Sequence, residues 1–474
     1  MSKKNEKITS RDVDFAQWYT DICKVADLVD YGSIKGSMII RPYGYAIWEN
    51  MVSVLDNEFK KTGHENIQMP MLIPESLLNI EKDHVKGFAP EVAWVTHAGN
   101  NKLEERLCIR PTSEVLFCDH FKKIIKSYRD LPKLYNQWCT IFRNEKTTRP
   151  FLRSREILWQ EGHTMHSTEI EAREETLRMF DIYANFQRDY LAIPVITGKK
   201  TEKEKFAGAE ETYTIEAMMY DGVALQNGTS HYFGQNFSKV FGIEFLNKEN
   251  KLEHPYQTSW GVTTRMIGGL IMTHSDDFGL VLPPNIAPYK TVIIPIGEDE
   301  GVINAVHIIE QGLIKNDISY QIDESDKSPG FKFAEAEVKG YPVRIEIGKR
   351  DLETNEVTLV RRDTLEKIKV NVSDVETELP ILLENIQSSL YEKAKIRRDS
   401  MLYSANDYET FKNIAKNKSG FIKTNWCGNL TCEDQIKIET GLKSRCIIEN
   451  EQVDGTCCVC GNAAKHKIYF GRQY

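Results

Sequence analysis

Residues 140–163, TIFRNEKTTRPFLRSREILWQEGH, constrain the fold more than any other stretch. Arg143, Arg149, Arg153 and Arg155 are interleaved with Glu145, Glu156 and Glu161, a composition that ordinarily marks a solvated surface. The apolar residues among them (Ile141, Phe142, Phe151, Leu152, Ile157, Leu158, Trp159) alternate well enough to predict two strands joined by a charged loop. Arginines and glutamates then project from a sheet, and such a face can serve as the floor of a site for a polyanion.

The flanking sequence predicts an antiparallel sheet with helices against it. Residues 11–29 and 42–62 carry apolar side chains at three- and four-residue steps, and Gly63 is a stop signal for the second helix. NIQMPMLIP is strand-like, but Pro70 and Pro74 confine it to an edge or to irregular pairing, often against another chain. Segments 107–111, 134–143, 155–163, 212–219 and 223–227 predict strands, and 171–190 a long helix. Residues 259–275 predict a strand end or turn leading into an apolar helix. Strands that mostly follow one another by hairpins give an α+β catalytic domain over 1–284. The prolines of LVLPPNIAPYK mark a linker near 282–288. Strands and helices alternate over 289–390, as in a small α/β domain with a largely parallel sheet. A third, small α+β segment, 391–474, holds the clustered cysteines.

A chain of 474 residues exceeds what one core supports, in keeping with three domains. Its net charge of −8 opposes indiscriminate coating of nucleic acid, and DNA is not an expected partner. Only 391–474 is basic, at +4, against −4 for 1–288 and −8 for 289–390. No apolar run approaches a membrane span and MSKKNEKITSRDVDF carries no signal-peptide core, so a cytosolic location is expected.

Three polar constellations stand in the first domain: Thr112-Ser113-Glu114, Arg143-Asn144-Glu145 and Thr263-Thr264-Arg265. There is no G-x-x-x-x-G-K-[ST] loop; TGKKTEK lacks the earlier glycine and the adjacent hydroxyl. A bound nucleotide must therefore be cradled by arginines, whose guanidinium grips phosphate or carboxylate through paired hydrogen bonds. Near the carboxy end, Cys427-x4-Cys432 is followed after 24 residues by Cys457-Cys458-x-Cys460, a pattern for a structural tetrahedral zinc site. The second pair can be Cys457 with Cys460 or Cys458 with Cys460, and Cys446 is a possible substitute. Cys23, Cys108, Cys118 and Cys139 are scattered and are expected to be buried small hydrophobes. His163 and His166 lack a nearby third ligand, so no metal is expected there.

These residues together resemble a known family. FRNE with RPFLRSREILWQEGH is similar to motif 2 of the class II aminoacyl-tRNA synthetases, QTSWGVTTRMIGGLI to motif 3, and the helix at 42–62 with the Pro70 strand to motif 1. RPTSE, WQEGH, QNGTSHYFGQNFSK and the closing FGRQY resemble the archaeal and eukaryotic type of prolyl-tRNA synthetase. The resemblance implies the class II fold, ATP and magnesium, L-proline and tRNA(Pro) as substrates, and a homodimer joined through motif 1.

It also assigns roles. Arg143 is expected to bridge the amino-acid carboxylate and the α-phosphate, Glu145 to read the adenine amino group, Arg153 to contact phosphates and Arg265 to hold the γ-phosphate. Gln226, Thr229 and Thr263 are implied as further nucleotide contacts. A secondary ammonium needs two acceptors, which Thr112 and Glu114 supply as neighbours-but-one on an extended segment. Trp159 and Phe206 are the expected walls for the ring. The resemblance adds Glu161, His163, His231 and Ser259 to the proline site. The 289–390 domain resembles an anticodon-binding domain, with Lys349 and Arg350 of IGKRDLE as its expected readers. About 90 residues separate WQEGH from TSWG, too few for the inserted editing domain of bacterial-type relatives. Two other readings stay open: a non-catalytic paralogue that binds tRNA or protein, and a class II enzyme acting on another amino acid.

Overall fold

The computed structural model describes residues 6–84, 92–449 and 451–474. Residues 1–5, which open the stretch lacking a signal-peptide core, lie outside them. An 11-stranded sheet runs through the molecule. From one edge its strands are Leu402–Ala405, Phe421–Trp426, His466–Gly471, Lys443–Ile448, Val195–Lys199, Glu211–Met218, Ala224–Gly234, Tyr256–Thr263, Glu156–His166, Lys133–Phe142 and Glu65–Asn66. The six from Val195–Lys199 to Lys133–Phe142 pair antiparallel throughout.

One face of this sheet is covered by helices that share one core. Helix Glu169–Asp189 is capped by Thr168, whose hydroxyl accepts from the Glu171 N–H, and buries Ala172, Thr176, Met179, Tyr183 and Phe186 at helical spacing. Helices Phe15–Val25 and Pro42–Lys61 bring Trp18, Ile22, Met51, Leu55 and Phe59 into the same core. Trp260 lies in that core against Gly162, its cross-strand partner; a Cβ on Gly162 would stand 2.1 Å from the indole. The glycine of WQEGH is thus fixed by packing. Helices Glu114–Ile124 and Asn236–Phe241 supply a second core, built from Phe117, Phe121, Phe233 and Phe237.

The interval between WQEGH and TSWG is filled by the long helix, three strands of the main sheet, a short helix and a small hairpin, with no inserted domain. In the 107–111 region the expectation needs correction. The strand is Asn101–Ile109, and Ser113 is the N-cap of helix Glu114–Ile124. Thr112 and Glu114 therefore meet across a helix start, not along an extended segment, because Pro111 ends the strand and the next turn is already helical.

The α/β domain holds a five-stranded sheet in the order Tyr320–Ile322, Thr291–Ile296, Val343–Gly348, Glu356–Arg361, Lys367–Asn371. Its first two pairings are parallel and its last two antiparallel, so the sheet is mixed and not largely parallel. Only the short helix Lys349–Leu352 separates Val343–Gly348 from Glu356–Arg361, too little chain for a parallel crossover.

The expected division at 390/391 falls inside the 26-residue helix Val375–Ser400. This helix buries Leu379, Leu383, Ile386 and Leu390 in the α/β core. Near its far end Arg397 donates to the Thr273 carbonyl at 2.8 Å. The two domains are also tied by Arg362, which grips Asp276 through both Nη groups at 2.8 and 2.6 Å. Nor is the cysteine-bearing segment free-standing. Its strands extend the catalytic sheet through the pairing of Ile447 with Lys199, where a Cβ on Gly198 would stand 2.2 Å from the Ile447 carbonyl oxygen.

Candidate active site

The centre of the main sheet opens into a cavity of about 210 Å³. Strand alternation sends Trp159, Glu161 and His163 to one face of Glu156–His166. In register beside them stand Thr263, Gly261 and Ser259, and then Thr229 and His231 opposite Gly261 and Ser259. Thr112, Glu114, Arg143, Phe206, Gln226 and Arg265 complete the lining among the residues expected from sequence. Lys200, Glu204, Thr212 and Asn227 also line it and were not anticipated.

One end of the cavity holds two buried carboxylates in different circumstances. Glu161 accepts from Gln137 Nε2 at 2.7 Å, from the Ser113 hydroxyl and N–H, and pairs with His163 Nε2 at 3.1 Å. Burial works against its charge, but His163, Ser113 and Gln137 together outweigh burial and hold the carboxyl at about 2. Glu114 accepts from the Thr112 hydroxyl. Burial, aided by Glu161 and opposed by His163, pushes it above the usual carboxylate range. His231 lies tilted at 40° against Phe206, with centroids 4.8 Å apart, and shares a 2.9 Å hydrogen bond with Thr212 Oγ1. Burial, then the charge of His163, drives His231 down to about 3, so it is neutral.

Ser113 and Gln137 escaped sequence reasoning. Gln137 could have been found, since it lies directly opposite Glu161 in the hairpin register. Cys139 also departs from expectation: it is half-buried and its thiol lies 3.6 Å from Glu161 Oε1. Cys23, Cys108 and Cys118 are buried.

At the other end stand two half-buried arginines. Arg143 lies 4.9 Å from the centroid of the Trp159 ring and its Nε donates to the Pro111 carbonyl at 3.1 Å, which leaves the two Nη groups for a ligand. Arg265 opens helix Arg265–His274, its N–H bonded to Thr263 Oγ1 at 3.0 Å and Nη1 3.4 Å from the Gln226 carbonyl. Burial, with repulsion from Arg143 and Arg153, lowers Arg265 to about 10, which still leaves it charged. Glu145 and Arg153 are not part of the cavity lining and face each other at 3.7 Å.

Two further expected sites lie elsewhere. The Sγ atoms of Cys427, Cys432, Cys457 and Cys460 lie within 4.8 Å of one another, with Cys432 and Cys460 at 3.8 and 3.7 Å from Cys427. Zinc–sulfur bonds of about 2.3 Å in a tetrahedron require sulfurs about 3.8 Å apart, so these thiols fit zinc. Cys458 turns instead to Thr424, and Cys446 is buried against Gly198, away from the quartet. Lys349 and Arg350 are exposed on the short helix after Val343–Gly348, with Lys349 3.1 Å from Asp299. In the same domain Arg344 and Lys367 lie 4.6 and 5.8 Å from the Phe333 ring, but both are ion-paired to Glu346, and Arg344 also to Glu337.

An antiparallel sheet that presents half-buried arginines to a cavity, with no glycine-rich phosphate loop, defines a class II aminoacyl-tRNA synthetase. Family models agree. The tRNA synthetase class II core domain (G, H, P, S and T) matches residues 94–274, the anticodon binding domain 290–380, and the prolyl-tRNA synthetase C-terminal domain 408–474. The chain is 58% identical to a proline–tRNA ligase 2 of Bacillus cereus, over 99% of both chains. It is also 58% identical to the proline–tRNA ligase of Clostridium novyi, over 100% of both. Prolyl-tRNA synthetase from Cryptosporidium parvum, solved with halofuginone and AMPPNP, superposes with a TM-score of 0.94 at 41% identity, covering 99% of each chain. The same enzyme solved with L-proline and AMP gives 0.94 at 39%, covering 100% of this chain and 99% of that one. The chain belongs to the proline–tRNA ligases, in the short form without an inserted domain.

Proposed function

We propose that this chain joins L-proline to tRNA(Pro) through prolyl-adenylate, with the roles that follow. First, a proline carboxylate oxygen attacks the α-phosphorus of ATP, the bond to the bridging oxygen breaks, and diphosphate leaves. Then a terminal hydroxyl of the tRNA attacks the activated carbonyl, loses its proton, and AMP leaves. What carries this reading is a single cavity with acceptors for an ammonium at one end and the guanidinium groups of Arg143 and Arg265 for carboxylate and phosphate at the other.

Thr112 and Glu114 accept the two ammonium hydrogens of proline, and the arriving cation returns Glu114 to its charged form. Trp159 and Phe206 flank the ring. Glu161 has its oxygens occupied, so it orders Ser113, Gln137 and His163 around the substrate. Arg143 spans carboxylate and α-phosphate, cancelling the repulsion between two anions and stabilising the transferring phosphoryl group. Arg265 holds the γ-phosphate, Arg153 and Glu145 act at the rim on phosphate and adenine, and Gln226, Thr229 and Thr263 complete the nucleotide contacts. Magnesium would arrive bound to the triphosphate.

Zinc, held by Cys427, Cys432, Cys457 and Cys460, would cross-link the carboxy-terminal segment. A homodimer is supported by exposed Tyr31, Ile34, Ile39 and Tyr45 beside the motif 1 helix, apolar surface suited to a second copy. Exposed Lys349 and Arg350 are the residues offered to the anticodon. Similarity to bacterial translation enzymes supports a cytoplasmic location. Proline-dependent ATP–pyrophosphate exchange, measured against all twenty amino acids, tests the whole. Exchange with another amino acid would move the specificity, and none at all would remove the activation step.

A further inference from the structure

The cysteine-bearing segment reaches beneath the nucleotide end of the cavity. Strand Lys443–Ile448 carries Arg445, which is 1% exposed. Its Nη1 stands 3.6 Å from Glu216 Oε2 and donates to Gln473 Oε1 at 2.6 Å. Glu216 is fully buried; its Oε1 accepts from Lys200 Nζ at 2.6 Å and from Thr214 Oγ1 at 2.8 Å. Lys200 lines the cavity. Glu216 also pairs across the sheet with Gln226, whose carbonyl faces Arg265 Nη1. One buried carboxylate is thus shared among Lys200, Arg445 and the field of Arg265, beside the end of the cavity proposed for the triphosphate.

A carboxylate attracts whichever cations are near it. With Arg445 in place, part of the demand of Glu216 is met from below, and Lys200 and Arg265 are that much freer toward the cavity. Without it, Glu216 draws on Lys200 and Arg265 alone. We infer that Arg445 is a positioning residue for ATP, acting through Glu216, so that the cysteine-bearing segment completes the nucleotide site of the catalytic domain. Neighbouring contacts hold the same junction in register. Thr201 Oγ1 donates to Glu433 Oε1 at 3.0 Å, and Ser444 donates to the same oxygen. Arg445 Nη2 and Glu216 Oε2 are buried without hydrogen-bond partners among the described residues, so the pair works by charge more than by a formed hydrogen bond.

The inference rests on the proposed activation of proline by ATP, and wild-type exchange activity tests that reading separately. In proline-dependent ATP–pyrophosphate exchange by the full chain, Arg445→Met should raise the KM for ATP by roughly tenfold, the scale of one charge-assisted contact. The KM for proline should change less than twofold, and Arg445→Lys should restore most of the ATP affinity. Because the arginine acts through Glu216, Arg445→Met placed in a Glu216→Gln background should add almost nothing further to the ATP KM. An unchanged ATP KM, equal shifts for both substrates, or additive effects in the double variant would overturn the proposal. Should the methionine variant not fold, Gln473→Leu loosens Arg445 from an exposed position. It should move the ATP KM in the same direction, and no movement overturns the proposal equally.

Discussion

Arg143→Lys isolates what a fork of donors contributes beyond charge. Alanine is the poorer probe, since it strips the cation from a buried neighbourhood containing Glu114, Glu145 and Glu161. Lysine keeps the positive charge and so spares the fold. It cannot span carboxylate and α-phosphate together, and it loses both the Nε bond to Pro111 and the guanidinium contact with the Trp159 ring. One charged hydrogen bond in the transition state contributes about 1.5–3 kcal/mol. Losing one of two, and loosening the other through the missing tether, removes about 3–4 kcal/mol. At about 1.4 kcal/mol per factor of ten, kcat/KM for proline-dependent exchange should fall 10²- to 10³-fold. The thermal midpoint should stay within about 1 °C of wild type, a shift that corresponds to about 1 kcal/mol for a chain of this length. A lysine variant that retains activity to within tenfold would refute the bridging role, because charge alone would then suffice.

Three other outcomes follow from the site. Thr112→Val, nearly isosteric, removes one ammonium acceptor and should raise the KM for proline about tenfold while leaving that for ATP unchanged, as steady-state exchange would show. Glu161 is held at about 2 against an ordinary 4.5, so its stabilisation is complete above pH 4.5 and is lost as pH falls toward 2. Buried, neutral His231, His166 and His274, at about 3, 4 and 3, act in the same sense as pH falls below 6.5. Thermal melts from pH 7 to 3 should therefore show falling midpoints, with the lower part of the fall flattened in Glu161→Gln. Metal analysis should find about one zinc per chain in Cys458→Ala and almost none in Cys432→Ala; loss in both would assign the knuckle differently.

What could be seen in the sequence was whatever a local pattern encodes. Arg143, Trp159, Glu161 and His163 lie on predicted strands, and alternation alone puts the last three on one face. Gln137 and Ser113 carry no local mark, because their role arises from strand pairing and from a helix cap. The start of helix Glu114–Ile124 was misjudged for a related reason: RPTSE looks extended until Ser113 is recognised as a cap. Lys200 lay in TGKKTEK, which fails as a phosphate loop; its approach to the cavity depends on Glu216, sixteen residues away on another strand. The division at 390/391 followed a change of composition, yet Leu379, Leu383, Ile386, Leu390 and Ala394 continue one helical stripe straight across it. The attachment of Ile447 to Lys199 is a pairing over almost 250 residues, and no window along the chain contains both partners.

The helix Val375–Ser400 behaves as a calliper. At 1.5 Å per residue its 26 residues span about 39 Å, with one jaw seated in the α/β core and the other on Thr273, in the last turn of the helix that Arg265 begins. Inserting one residue at an exposed midpoint would turn everything beyond it by about 100°, so the reach of this arm cannot drift by small increments. The gap between the domain suited to one end of a tRNA and the cavity suited to the other is therefore gauged in whole turns of a single rod.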